Sequence, residues 1–334
     1  MKNLATKYRP ADFGDICCQE SIVKILNKQI ETGTFKNCYL FSGPSGCGKT
    51  TIARILANKI NNGVGIPEEI DGASNNGVDN VRQIIDSATQ RSLDAEYKVF
   101  IIDECHAITS SGWNAFLKCI EEPPKYTIFM FCTTDQQKVP VTIQNRCQVF
   151  NLGRISDDGI IHRLDYICNQ EKYSFTIDSL EYICKLADGS LRQAITLLDK
   201  TKDFSTNLTL ESVIESLGNY SYDIFFNLVN ARIDNDKKKT LSIIESMYLK
   251  GVDLKLFIDS YLDFILDLSK YCIFGSLDVT KIPSSQEDKI KYTINLDDNI
   301  KFFNMYLEKV LNIKQSIKYD TNQKTTIEAM LISW

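Results

Sequence analysis

The octapeptide Gly43-Pro44-Ser45-Gly46-Cys47-Gly48-Lys49-Thr50 carries glycine, lysine and threonine at every fixed position of the phosphate-loop pattern G-x-x-x-x-G-K-[ST]. Those residue types at that spacing suit the gripping of a polyphosphate. The glycines let backbone N–H groups turn inward around anionic oxygens, and a helix starting directly after them adds the positive end of its dipole. Lys49 can reach the β and γ phosphates of ATP, and the Thr50 hydroxyl can ligate the magnesium that travels with them. Further on, the apolar run Val99-Phe100-Ile101-Ile102 closes on Asp103-Glu104, a Walker B pattern. In it Asp103 holds the magnesium, directly or through water, and Glu104 activates the attacking water. Thr133 and Thr134 follow another apolar run. One hydroxyl there can sense the γ-phosphate while the other caps the next turn, and the sequence leaves open which does which.

This chemistry needs its groups brought to one edge. The run Cys38-Tyr39-Leu40-Phe41 before the loop and Thr51 to Lys59 after it read as strand, loop and helix. Glu69 to Asp71 reads as a short strand, Val78 to Arg91 as a helix, and Gly112 to Glu122 as a helix stopped by Pro123-Pro124. Ile128 to Cys132 reads as a further buried strand. Strands alternating with helices predict an α/β domain with a parallel sheet, whose strand ends gather Lys49, Glu104 and the threonines where open α/β sheets bind ligands. Upstream, the spacing of Ile22, Ile25, Leu26 and Ile30 predicts a helix from Ser21 to Ile30, with Ser21 as its cap.

Beyond residue 151 the periodicity is helical only. Helices are expected over 156–170, 176–187 and 190–200, with a polar break over 201–207. Arg192 falls near the start of the third, where a cation opposes the helix dipole and an anionic ligand nearby would account for it. In the remainder, Phe257, Tyr261, Leu262, Ile265 and Leu268 form one apolar stripe, and Phe303, Tyr306, Leu307, Val310 and Ile317 another.

The 334 residues are enough for two or three domains, each with its own core. Hydrophobic content of 43% and charged content of 24% are those of a globular protein, and no uncharged apolar run approaches the roughly 18–20 residues of a membrane span. The N-terminus lacks a signal-peptide core, so a cytoplasmic protein is expected, in the host cytoplasm if the source is a virus. The 11 cysteines include no C-x-x-C and sit singly in apolar segments, so they read as small buried hydrophobes and not as zinc ligands or disulfides. A net charge of −5 excludes a chain-wide basic footprint for nucleic acid but not a local one. Cys47, inside the phosphate loop, is expected to be a site where alkylation inactivates and ATP protects. His106 is expected to pack locally or to hydrogen-bond the backbone, outside the chemistry.

Several stretches recur together in one known family. Lys7-Tyr8-Arg9-Pro10, the phosphate loop, Glu69 to Val78, Ile102-Asp103-Glu104, Leu117-Lys118 with Glu121-Glu122-Pro123-Pro124, Thr133-Thr134-Asp135, Val139 to Ile143 and Arg146-Cys147 follow one another in order. Together they resemble the gamma/tau subunits of the bacterial DNA polymerase III clamp loader, over residues 5 to about 200. The resemblance implies an AAA+ P-loop NTPase domain over 1–150, a small three-helix lid over 151–204 and an all-α oligomerisation collar over 205–334. It implies a homo- or hetero-oligomeric ring, pentameric in the family, which uses ATP binding to open a sliding clamp and hydrolysis to release it on primer-template DNA. It places Tyr8 and Arg9 by the nucleotide, joined by Pro44, Ser45, Cys47 and Thr51 of the loop region. Thr134 matches the family's sensor 1, Arg192 its sensor 2, and Arg146 the arginine that enters a neighbouring subunit's ATP site.

An isolated subunit should then be a poor ATPase. Two other readings stay open: a nucleotide-binding scaffold with negligible turnover, and another AAA+ DNA motor such as a Holliday-junction motor. The chain also departs from the family pattern. Asn61 to Glu68 is a short loop without the usual four-cysteine module, so no zinc is expected. Asn145 replaces serine beside Arg146, Gln136 replaces proline, and Cys18 stands where glycine precedes Gln19-Glu20.

Overall fold

A computed structural model of the chain describes residues 3–296, 298–320 and 322–333. Contacts divide the chain into two compact units, one of residues 1–167 with 187–196, the other of 168–186 with 197–334.

The first unit is built on a five-stranded sheet of β1 (Cys38–Ser42), β2 (Glu68–Asp71), β3 (Lys98–Asp103), β4 (Thr127–Thr133) and β5 (Gln148–Asn151), in the order β2-β3-β4-β1-β5. Every pairing is parallel. A parallel sheet is covered on both faces, so its central strands need apolar side chains at every position; β1 and β4 are buried throughout. Successive residues then feed opposite cores. Tyr39, Phe41, Val99, Ile101, Ile128 and Met130 meet the helices Glu20–Thr32 and Lys49–Ile60 through Leu26, Ile52 and Leu56. Leu40, Phe100, Ile102, Phe129 and Phe131 meet Val78–Ala88 and Ser110–Glu121 through Val81, Trp113 and Phe116. The result is three layers, helix on sheet on helix.

Some local expectations are corrected. The first long helix starts at Glu20 with Gln19 as its N-cap, so Ser21 is not the cap; the Gln19 side chain instead donates to the Gly153 carbonyl at 3.0 Å. β5 lay outside the expected strands, because its polar ends, Gln148 and Asn151, hide the short Val149-Phe150 core of an edge strand. Helices Asp157–Glu171, Ile177–Ala187 and Leu191–Lys202 lie close to their expected spans, but the region is not helical only. Ser174–Phe175 pairs in parallel with Asn207–Leu208, and two-residue strands are too short to print an alternation.

In the second unit the two expected stripes lie on the helices Leu254–Phe274 and Asn299–Ile317. Phe257, Tyr261, Ile265, Leu268, Phe303, Tyr306, Val310 and Ile317 are buried in one core, with Leu262 and Leu307 partly buried against it. The Tyr261 and Tyr306 hydroxyls meet inside it at 2.7 Å. Among the described residues no helix is long and apolar enough to cross a membrane.

Candidate nucleotide-binding site

β1 hands the chain to the phosphate loop at the carboxyl edge of the sheet, where the Gly43 N–H donates to the Thr133 carbonyl at 3.2 Å. Two of the loop's glycines are dictated by close approach as well as by conformation. A Cβ on Gly43 (φ +151) would lie 2.5 Å from the Leu152 carbonyl oxygen, and one on Gly46 (φ +75) would lie 2.0 Å from Ser190 Oγ. The helix Lys49–Ile60 starts directly after Gly48, so its unpaired N–H groups and dipole face the loop.

These elements wall a cavity of about 400 Å³. Tyr8, Arg9, Ser45 to Thr51, Asp103, Glu104 and Arg192 all line it, together with Ile16, Cys17 and Ile195. Gly43 and Pro44 stand behind the wall, and their carbonyls each accept from Lys49 Nζ at 2.9 Å. Thr50 Oγ1 donates to Asp103 Oδ2 at 2.8 Å, which brings the hydroxyl and the carboxylate of the two motifs together. One neutral and one anionic oxygen, on a hydroxyl free to rotate, form a donor set suited to a small hard cation such as magnesium. Arg192 is the second residue of the helix Leu191–Lys202 and is exposed to the cavity, without an ion-pair partner among the described residues.

Cys47 departs from expectation. It lines the cavity, but the residue is 1% exposed and packed into the core of the first unit, and burial pushes its thiol pKa up. A thiol in that position resists alkylation. The cysteine that lines the cavity and is only partly buried is Cys17, on the N-terminal arm.

Glu104 has a left-handed backbone (φ 46), and its N–H donates to Asp103 Oδ1 at 3.0 Å. Its Oε2 accepts from Thr134 Oγ1 at 3.3 Å and lies 3.3 Å from His106 Nδ1. The two threonines divide the work left open in the sequence. Thr133 Oγ1 caps the turn, donating to Asp135 O at 3.0 Å and accepting from Asp135 N at 2.9 Å, while Thr134 turns to Glu104.

Arg146 is not brought to this cavity. It lines a separate hollow with Glu121 and Gln148, where its guanidinium donates to Thr142 O at 2.6 Å and pairs with Glu121 at 2.5 Å. Gln136, in place of the usual proline, donates from Nε2 to Gln144 Oε1 at 2.9 Å, and so braces the short helix Val141–Gln144 that leads to Arg146. Asn145 is the C-cap of that helix. Cys18 has φ 57, a conformation that favours glycine, which explains the glycine usual there. In the sequence Glu121 is marked only by the Glu121-Glu122-Pro123-Pro124 stretch, His106 is expected outside the chemistry and Ser190 is assigned nothing. The contacts of all three are tertiary, to Arg146, to Glu104 with Thr133, and beside Gly46.

The sheet order and the phosphate loop define a P-loop ATPase fold of the AAA+ class. The same architecture is seen in the RuvB Holliday junction branch migration motor of Thermotoga maritima, with a TM-score of 0.54 over 74% of this chain and 86% of that one, at 17% identity. The family profile described as DNA polymerase III, delta subunit, matches residues 67–156. The DNA polymerase III subunit gamma of Buchnera aphidicola subsp. Acyrthosiphon pisum is 31% identical over 98% of this chain and 97% of its own length. The gamma/tau subunit of Mycoplasma genitalium is 30% identical over 98% of this chain, and the tau subunit of Bacillus subtilis 35% identical over 79%. The chain belongs to the family of DNA polymerase III gamma/tau subunits. It spans 58% of the Mycoplasma protein and 51% of the Bacillus protein, roughly half of these longer relatives.

Proposed function

We propose that this chain is an ATP-hydrolysing motor subunit of a sliding-clamp loader in DNA replication, working in a ring with related subunits. The observation that carries the reading is the 2.8 Å contact between Thr50 and Asp103 on the wall that also holds Lys49, Glu104 and Arg192. A nucleotide-binding scaffold has no need of both acids at that place.

In this reading the loop N–H groups, Lys49 and Arg192 bind the phosphates, and Tyr8 and Arg9 close the opposite wall. Thr50 and Asp103 would hold magnesium, which would neutralise charge on the phosphate oxygens. Glu104 takes a proton from the water that attacks the γ-phosphorus, with Thr134 fixing the carboxylate. The bond between the γ-phosphorus and the bridging oxygen breaks, leaving ADP and phosphate. Arg146 serves the cavity of a neighbouring subunit, since it lines no part of its own. The domain reading of 1–150, 151–204 and 205–334, with a collar as the ring contact, belongs to the same proposal.

The test is ATPase measured on the chain mixed with candidate clamp and partner subunits, with and without primed DNA. Stimulation by clamp and DNA is expected. Tight ATP binding with no turnover in any mixture would replace the motor by the scaffold.

A further inference from the structure

We infer that His106 is a positioning residue for the catalytic base Glu104, holding one carboxylate oxygen so that the other is left to take the proton from water. The inference deepens the proposed ATPase reading and rests on it.

The argument is an accounting of protons. His106 Nδ1 lies 3.3 Å from Glu104 Oε2 and 3.3 Å from Thr133 Oγ1. The Thr133 hydroxyl proton is committed to the Asp135 carbonyl at 3.0 Å, so toward the imidazole Thr133 offers only a lone pair. A carboxylate likewise only accepts. Both neighbours of Nδ1 then present acceptors, which favours the hydrogen on Nδ1.

Nδ1 stands 3.3 Å from the same Oε2 that accepts from Thr134 Oγ1. Glu104 Oε1 has neither neighbour, and Glu104 lines the cavity. The Thr134 donor and the imidazole edge beside one oxygen set the carboxylate plane and leave the second oxygen as the basic one. Thr133 contributes at one remove. It is fully buried at the end of β4 and tied to Asp135 on both sides, so it gives the ring a fixed acceptor to rest against. The imidazole is thereby oriented by the sheet itself.

An asparagine amide can place a donor near the Nδ1 position, whereas alanine cannot. ATP affinity and thermal melting are to be measured on the full chain and on its His106→Ala and His106→Asn variants, and single-turnover hydrolysis on each of them assembled with partner subunits, clamp and primed DNA. The expected result is about a tenfold loss of the hydrolysis rate in His106→Ala at unchanged ATP affinity and melting temperature, largely restored in His106→Asn. An unchanged rate in His106→Ala, or a loss that His106→Asn fails to restore in a folded protein, would overturn the inference. A wild-type chain that binds ATP without cleaving it in any mixture with partner subunits, clamp and primed DNA would instead overturn the motor reading beneath it.

Discussion

At the scale of single residues, the site depends on where side chains go as much as on which they are. Lys49 is 6% exposed and its ammonium is held by two loop carbonyls at 2.9 Å, a cation poised beside the phosphate cradle. Lys49→Ala is expected to weaken ATP binding by about a hundredfold or more, read by titration with a fluorescent nucleotide; retained tight binding would place the phosphates elsewhere. The cysteines give a sharper check, because motif position and burial point to different ones. Both Cys47 and Cys17 line the cavity, but Cys47 is buried in the core of the first unit, whereas Cys17 is only partly buried. Mass spectrometry after iodoacetamide treatment of the folded protein is expected to find Cys17 labelled slowly and protected by ATP, with Cys47 unlabelled. Early labelling of Cys47 would contradict its burial. Cys18 tests backbone strain at the same arm. Its φ of 57 suits glycine, so Cys18→Gly should hold or raise the urea midpoint, while the β-branched Cys18→Val should cost about 1–2 kcal/mol.

At the scale of elements, legibility followed length and periodicity. β1, β3 and β4 announce themselves as apolar runs because both faces of a parallel sheet are covered, and the motifs ride on their ends. With those strands come Lys49, Thr50, Asp103, Glu104 and Thr134 by necessity, so this half of the site could be read in advance. β5 could not, since an edge strand with polar ends carries little pattern. Nor could the partners that orient the functional groups. Glu121 grips Arg146 across 25 positions of sequence, and Thr133 meets His106 across 27, distances at which periodicity is silent. The core that sets these distances is testable in the same terms. Phe129 is fully buried, with ring centroids of Phe100, Phe116 and Phe131 at 5.4, 5.9 and 6.2 Å. Phe129→Ala should cost about 3–5 kcal/mol in a denaturant titration, enough to threaten folding of the first unit. A cost below about 1 kcal/mol would mean the two helices on that face do not depend on the sheet for their seat.

At the scale of the whole molecule, the question is what a single chain lacks. Its cavity contains a cradle, a candidate cation pair and a candidate base, while Arg146 sits in a different hollow, tethered by Glu121 and braced through Gln136. If Arg146 acts in trans, loss of the cradle and loss of the finger are defects in different partners of one interface. Lys49→Ala subunits would keep a working finger and no cradle; Arg146→Ala subunits would keep a working cradle and no finger. Each variant alone should lose hydrolysis by about a thousandfold, with Arg146→Ala still binding ATP. In a ring assembled from equal amounts of both, an intact cradle meets an intact finger at about a quarter of the interfaces, so activity should return to about that fraction of wild type. Recovery requires subunits to exchange, which size-exclusion chromatography of differently tagged variants can verify. A mixed and exchanged assembly that stays inactive would show that cradle and finger must belong to one chain, and the role of Arg146 in a neighbour's cavity would fall.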